Sequence, residues 1–401
     1  MFEPVVALEI GTSKTVALVG EKREDGGIVI TGHGETESTG VRKGEVIDLE
    51  QAVAGVRRVL DEAEQASRVD ICEVDLVVSG GHIRAMANRG AVPLQGADSE
   101  ITEDDMEDAM DVARAVALPE DRQVIHTICR DFCIDGQQRV IRPIGMIGAL
   151  LEVSMLVVHG VRVRIRNTVR TAELTPVDVG DVAFGGLCSA LAVLTPEQKK
   201  AGVVVIDFGG GTLDYMAYGD GVVAAAGSLG VGGDHVTNDI ALACNITHRM
   251  AEKLKLEHGS GIVSAGRDAD RIKLPAEVGF SGAAVAPRVL QAVIHARLKE
   301  TFDILRRRLD DQDVLAHVGA GIVLTGGMAR LPDITDLLTR VMGLPCTIGK
   351  PRQLSGLTAV AENPGYAACA GLVHYAFKTR EQNRQRERSM FGALGRMFGK
   401  R

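Results

Sequence analysis

The stretch VVVIDFGGGTLDYMAY, residues 203–218, decides how this chain folds. Apolar strand formers lead to Asp207. Phe208 then precedes Gly209, Gly210, Gly211 and Thr212, and apolar and aromatic residues resume to Tyr218. The pattern reads as strand, tight glycine turn, strand. A matching unit opens the chain, VVALEIGTSKTVALV at residues 5–19, with Glu9 before Gly11, Thr12, Ser13 and Lys14. The acid sits at 9 and 207 and the first turn glycine at 11 and 209, both offset by 198 residues. Two such units in corresponding places imply two related domains facing each other.

A hairpin tip rich in Gly and Thr can aim several backbone N–H groups at one anion, because glycine lets a phosphate approach the main chain. A carboxylate at the end of the preceding strand can hold Mg²⁺ through its water shell, which Mg²⁺ surrenders reluctantly. Glu9 and Asp207 occupy that place, and Lys14 can neutralise phosphate charge. Either hairpin alone would read as a plain turn. The shared offset favours a two-sided phosphate site. Further on, the strand 321–325 ends in Gly326-Gly327-Met328, which suits the wall of a nucleoside site. Glu252 and Lys255, three apart on an expected helix, share a face and can bracket a ribose or adenine edge, or simply be solvated.

Around these units, helices are expected over 51–64, 102–117 (with Thr102 and Asp105 approximating a capping box), 234–257, 288–310 and from about 332. Residues 123–134 and 148–158 read as strands, and 195–200 as a polar turn. Strands alternating with helices give an α/β class. At 401 residues the chain has room for two to four domains at roughly 100–200 residues each. It has no Trp and 3% aromatics, and its net charge is −8, which together argue against a nucleic-acid partner. Its seven cysteines form no CxxC, so reduced thiols are expected rather than disulfides or structural zinc. Cys129 and Cys133 are spaced to share one strand face as ordinary packing. The N-terminus lacks a basic region, and no run reaches the ~18–20 apolar residues that cross a bilayer, so a soluble body is expected.

Charge is unevenly spread. Residues 378–401 carry eight Lys/Arg and two Glu, a net +6, which leaves −14 on the other 377 residues. Placed on a helix, Met390, Phe391, Leu394, Met397 and Phe398 fall within an arc of about 120°, with Arg388, Arg396 and Lys400 outside it. An apolar face with a basic back is an interfacial anchor pattern.

The order of these elements resembles the actin, sugar-kinase and heat-shock ATPase superfamily. The segments LEIGTSKTVALVGE, VDLVVSGGHIRAMANRGAVPL, EITEDDMEDAMDVARAVALPEDRQVIH, VVIDFGGGTLDYMAY, LTGGMARLPDI and ENPGYAACAGLVHYA narrow this to a resemblance to the bacterial FtsA cell-division family, running from about residue 5 to 375 and including the basic tail. The resemblance implies an actin-like two-lobed fold of duplicated ribonuclease-H-like domains. It divides the chain into a first core (1–84, returning at 163–200), an FtsA-type insert (85–162), a second core (201–230 and 311–377) with a small subdomain (231–310), a charged linker (378–388) and an amphipathic helix (389–401).

It further implies ATP with Mg²⁺, held by Gly11, Thr12, Ser13 and Lys14 on one side and by Gly209, Gly210, Gly211 and Thr212 on the other. Gly232 and Gly233 would lie nearby, and Glu252, Lys255, Gly326, Gly327 and Met328 would lie along the adenosine. Glu9 and Asp207 would face the metal. Glu9 stands where much of the superfamily has Asp. Gly185 replaces an acid that relatives carry in Glu-Pro-Leu-Ala-Ser-Ala, which implies slow hydrolysis. The implied partners are the C-terminal peptide of tubulin-like FtsZ, through Arg297, further copies of the chain in a filament, and other division proteins through the insert. Membrane lipid would be met through Met390, Phe391, Leu394, Arg396, Met397, Phe398 and Lys400, at the cytoplasmic face of the inner membrane. A soluble kinase, a chaperone ATPase and a pilus-assembly relative are the rival expectations.

Overall fold

The computed structural model describes residues 3–96, 98–137, 139–263, 271–274 and 282–398. In the first lobe, β1 (Val5–Ile10), β2 (Lys14–Lys22) and β3 (Ile28–Glu37) form an antiparallel meander. Helix α1 (Leu49–Ser67) crosses over, capped by Asp48, and β4 (Glu73–Val78) returns parallel to β1. An inserted module follows: β5 (Arg84–Pro93), α2 (Glu103–Arg114), β6 (Arg122–Ile134) and β7 (Leu150–Val161). Then α3 (Arg162–Glu173), β8 (Asp178–Phe184) and α4 (Gly185–Val193) complete the lobe.

Helix α5 (Pro196–Ala201) leads into the second lobe. There β9 (Val203–Phe208), β10 (Leu213–Gly219) and β11 (Val222–Leu229) repeat the meander. Helices α6 (Gly233–Cys244), α7 (His248–His258) and α8 (Pro287–Asp310) come next, then β12 (Ile322–Thr325), α9 (Ile334–Met342), β13 (Cys346–Ile348) and β14 (Leu354–Gly356). The chain returns to the first lobe as α10 (Ala367–Phe398).

Strand order in the first sheet is β8-β4-β1-β2-β3-β14, and the second sheet begins β13-β12-β9-β10-β11. The five core strands therefore share one order: a fifth and fourth strand parallel to the first, which opens an antiparallel meander. This is the duplication that the 198-residue offset implied, in an actin-like two-lobed α/β fold. The lobes differ in where they are elaborated. The first carries the module between its fourth and fifth strands, and the second carries α6–α8 between its third and fourth. The module's strands extend the second sheet through the single pair Gly227↔Arg84. They also close a core of their own around Leu94, Ile101, Phe132, Leu151 and Met155. The Thr102–Asp105 capping box starts α2 as expected.

Four local readings need correction. Residues 195–200 are largely helical: Thr195 and Gln198 form a capping box and Pro196 sits in the first turn, where its missing N–H is harmless. The helix expected at 234–257 is two helices, ended by Asn245 in the left-handed region (φ 52°) and restarted by the Thr247 cap. Cys129 and Cys133 lie on opposite strand faces, because a bulge at Arg130 sets Cys129 against Met155 and Cys133 against Glu152. The charged segment 378–388 is part of continuous α10, rich in good helix formers. Arg380 fastens that segment by pairing with Glu73 at 3.0 Å, and Lys22 pairs with Glu381. For 385–398 only the backbone is described. The side chains of Met390, Phe391, Leu394, Arg396, Met397 and Phe398, and all of Lys400, lie outside the described residues.

Candidate functional site: the cleft between the lobes

The two glycine hairpins meet at the mouth of one cleft. They are built alike. The Gly11 N–H donates to Lys14 O at 3.0 Å, and the Gly209 N–H donates to Thr212 O at 2.9 Å. A β-carbon on Gly210 would lie 3.0 Å from the Ser13 β-carbon, so the tips approach closely across the lobes. Gly326, at φ 86°, turns beside Asp207; a β-carbon there would sit 2.4 Å from Oδ1. Glu9, Gly11, Thr12, Ser13, Lys14, Asp207, Gly209, Gly210, Gly211, Thr212, Gly326 and Gly327 all face the cleft.

Gly232, Gly233, Glu252, Lys255 and Met328 form an adjoining wall. The Gly233 N–H donates to Gly209 O at 3.0 Å, which seats α6 on the hairpin. A β-carbon on Gly233 would lie 2.7 Å from Met328 Sδ. Lys255 is buried; its ammonium donates to Thr237 Oγ1 at 2.8 Å and to Gly233 O at 3.2 Å, and pairs with Glu252 at 2.6 Å. Its face of α7 is therefore not a solvated one. Arg297 lies elsewhere, on α8, in a two-pronged pair with Asp239 of α6 (2.6 and 3.1 Å) and a second pair with Glu300.

The floor of the cleft holds three carboxylates. Asp214, which the sequence reading missed, stands directly across the hairpin from Asp207. Its signal was in the sequence, seven residues after Asp207 on the opposite arm, at the position that Val16 fills in the first unit. Burial pushes Glu9 up to about 7, with Asp207 raising it further and Lys14 opposing. Burial likewise raises Asp214 to about 7 and Asp207 to about 6, the latter resisted by the hydroxyl of Ser189, which donates to Asp207. Glu9 Oε2 and Asp214 Oδ1 are buried with no hydrogen-bond partner among the described residues. Such orphaned oxygens are costly unless something cationic or hydrated completes them. Among the described residues, no group of three or more His, Cys, Asp or Glu is arranged to hold a metal ion. A cation that keeps its water shell is therefore a better match to these carboxylates than one bound directly. Gly185 is buried beside them, and a β-carbon there would fall 2.4 Å from Ser79 Oγ and 2.9 Å from Asp214 Oδ2.

Comparison with known proteins agrees with this architecture. A family profile described as "SHS2 domain inserted in FTSA" matches residues 80–159, and one described as "Cell division protein FtsA" matches 204–371. The Cell division protein FtsA of Pseudomonas aeruginosa is 33% identical over 374 residues, covering 93% of this chain and 89% of that relative. Its Escherichia coli K12 counterpart is 34% identical over 379 residues, covering 92% and 90%. Among solved structures, the PilM–PilN type IV pilus biogenesis complex aligns with a TM-score of 0.64 at 16% identity, covering 92% of this chain and 98% of that one. MreB5 of Spiroplasma citri bound to ADP aligns with 0.55 at 15%, covering 96% and 98%. At such identities these structures establish the fold alone, whereas the full-length relatives and both profiles converge on one family: the chain belongs to the FtsA cell division proteins.

Proposed function

We propose that this protein is an ATP-binding adaptor of cell division. It assembles into actin-like filaments, tethers FtsZ filaments to the cytoplasmic face of the inner membrane at the division site, and recruits further division proteins through residues 85–162. The observation that carries the reading is the cleft: two matched hairpins from two lobes, facing each other above three carboxylates, of which Glu9 and Asp214 each keep one orphaned buried oxygen. Gly11–Lys14 and Gly209–Thr212 would hold the phosphates, Glu9 and Asp207 would face hydrated Mg²⁺, and Gly326–Met328 with the Glu252–Lys255 wall would lie along the nucleoside. The bound cation would supply charge compensation for the phosphates. Gly185 leaves no acid at the place where relatives carry one, so hydrolysis is slow and nucleotide acts as an assembly ligand. Met390, Phe391, Leu394, Met397 and Phe398 would enter the lipid surface, with Arg396 and Lys400 at the headgroups. No described helix is long and apolar enough to cross a membrane.

Pelleting with anionic vesicles and FtsZ, using the full chain and a chain lacking 387–401, tests the whole reading. The full chain should carry FtsZ into the pellet and the shortened chain should not. Equal pelleting of the two would overturn it.

A further inference from the structure

Lys14 is the one hairpin cation facing the cleft, yet its ammonium is turned toward the first lobe. It lies 3.4 Å from the centroid of the Tyr366 ring and 3.4 Å from Glu35 Oε2. The Tyr366 hydroxyl donates to the same Glu35 oxygen. His33 Nε2 is 3.6 Å from that oxygen, and the His33 ring meets Tyr366 edge-on at 5.5 Å. Tyr366 itself is buried, at the turn that starts α10, next to Gly365 on the cleft wall. Nothing in the phosphate-site reading requires this cluster.

We propose that Glu35 and Tyr366 are positioning residues that park Lys14 away from the phosphates, so that a polyphosphate must compete with them for its ammonium. The inference rests on the nucleotide reading above. On this proposal the phosphates seat beyond reach of the resting ammonium, which must leave the Tyr366 face and Glu35 to neutralise them. Its occupancy is therefore a two-state exchange, and apparent affinity scales with the fraction of time it is released. The parked state combines a half-exposed ion pair with a cation–π contact, each modest in strength. A polyphosphate carrying several charges can displace both.

The test uses the full chain. With no Trp and four Tyr, its intrinsic emission is tyrosine emission alone. A carboxylate that accepts the phenolic hydrogen bond quenches tyrosine, so a disturbed Glu35–Tyr366 pair is visible directly. With Lys14 drawn away, Glu35 accepts the Tyr366 hydroxyl without competition, so magnesium tripolyphosphate, which does not absorb in this range, should lower the emission of the wild type and leave Tyr366→Phe unchanged. By calorimetry, Glu35→Gln should bind Mg·ATP about two- to five-fold more tightly than wild type. In a Lys14→Ala background, Glu35→Gln should lose that gain, since residues acting through one partner do not add. Wild-type Mg·ATP binding that Glu35→Gln leaves equal or weaker would overturn the inference alone. A wild type that binds no Mg·ATP would overturn the nucleotide reading and this inference with it.

Discussion

Glu9, Asp207 and Asp214 line one cleft, Asp214 buried and the other two partly so, and their raised affinity for protons has a measurable sign. Glu9 moves from 4.5 to about 7 on folding, so the native state holds its proton more tightly than the unfolded chain. Stability from this group is fully present below pH 4.5 and is lost as pH rises through about 7. At ~1.4 kcal/mol per unit the loss is on the order of 3 kcal/mol for Glu9. Chelator-treated protein should therefore melt at lower temperature at pH 8 than at pH 5.5. Glu9→Gln should flatten that slope, and Mg·ATP should restore the melting point at pH 8. An unchanged slope in Glu9→Gln would assign the effect to other groups. A bulky side chain at Gly210 has no room against Ser13, and Asp207→Ala removes the carboxylate beside the hairpin. Both variants should fail to bind ATP by calorimetry while keeping their helical circular dichroism. With no base at Gly185, wild-type turnover should fall ~10²–10⁴-fold below the ~10 s⁻¹ of an ordinary enzyme. Gly185→Glu should not rescue it, because its side chain would collide with Ser79 and crowd Asp214.

Two helices matter most at the scale of elements. Helix α10 starts beside the cleft and runs without a break to Phe398. An extended linker of eleven residues would reach ~36–40 Å. As helix the same residues rise only ~16 Å, less than half that span. Its apolar residues are each worth up to ~1.5–3 kcal/mol when buried, and its basic residues about 1 kcal/mol near an anionic leaflet. Phe391→Ala or Leu394→Glu should therefore lower vesicle binding at least ~10-fold, read by sedimentation. Undiminished pelleting of Leu394→Glu would remove that face from the anchor. Helix α8 presents Arg297, whose guanidinium already bridges to Asp239 on α6. An acidic FtsZ peptide would extend this pair rather than find a bare charge. Arg297→Glu should weaken peptide binding with ATP binding unchanged, whereas Asp239→Asn, which removes one of the guanidinium's two acidic partners, should not weaken it. Equal peptide affinity in Arg297→Glu would exclude the site.

For the whole molecule, the hairpin tips come from different lobes, so whatever binds between them sets how the lobes sit. If nucleotide governs assembly in this way, one subunit's weak anchor becomes strong only in a filament, where linked anchors gain ~10²–10⁴-fold in avidity. Asp207→Ala, with its tail intact, should pellet poorly with vesicles and show no filaments by electron microscopy. Monomers that bind lipid as tightly as wild type would refute the avidity argument.

What the sequence determined by itself was whatever local chemistry dictates. The strand–acid–glycine–strand units, the Thr102 capping box and the apolar stripe of the tail are set by residues within a few positions of one another. The 198-residue offset then exposed the duplication, because a repeat needs no knowledge of packing. Only tertiary structure decided which acids meet. Asp214 reaches Asp207 through strand register, and Glu9 joins them from the other lobe. The side on which Cys129 lies follows from a bulge, and a one-residue shift moves a side chain to the other face. Lys14 read as a phosphate residue by proximity along the chain. That it rests on Tyr366 and Glu35 depends on contacts 352 and 21 residues away, made only when the start of α10 packs against the first sheet. Long-range burial, rather than propensity, sets the charge state and the partners of the groups in the cleft.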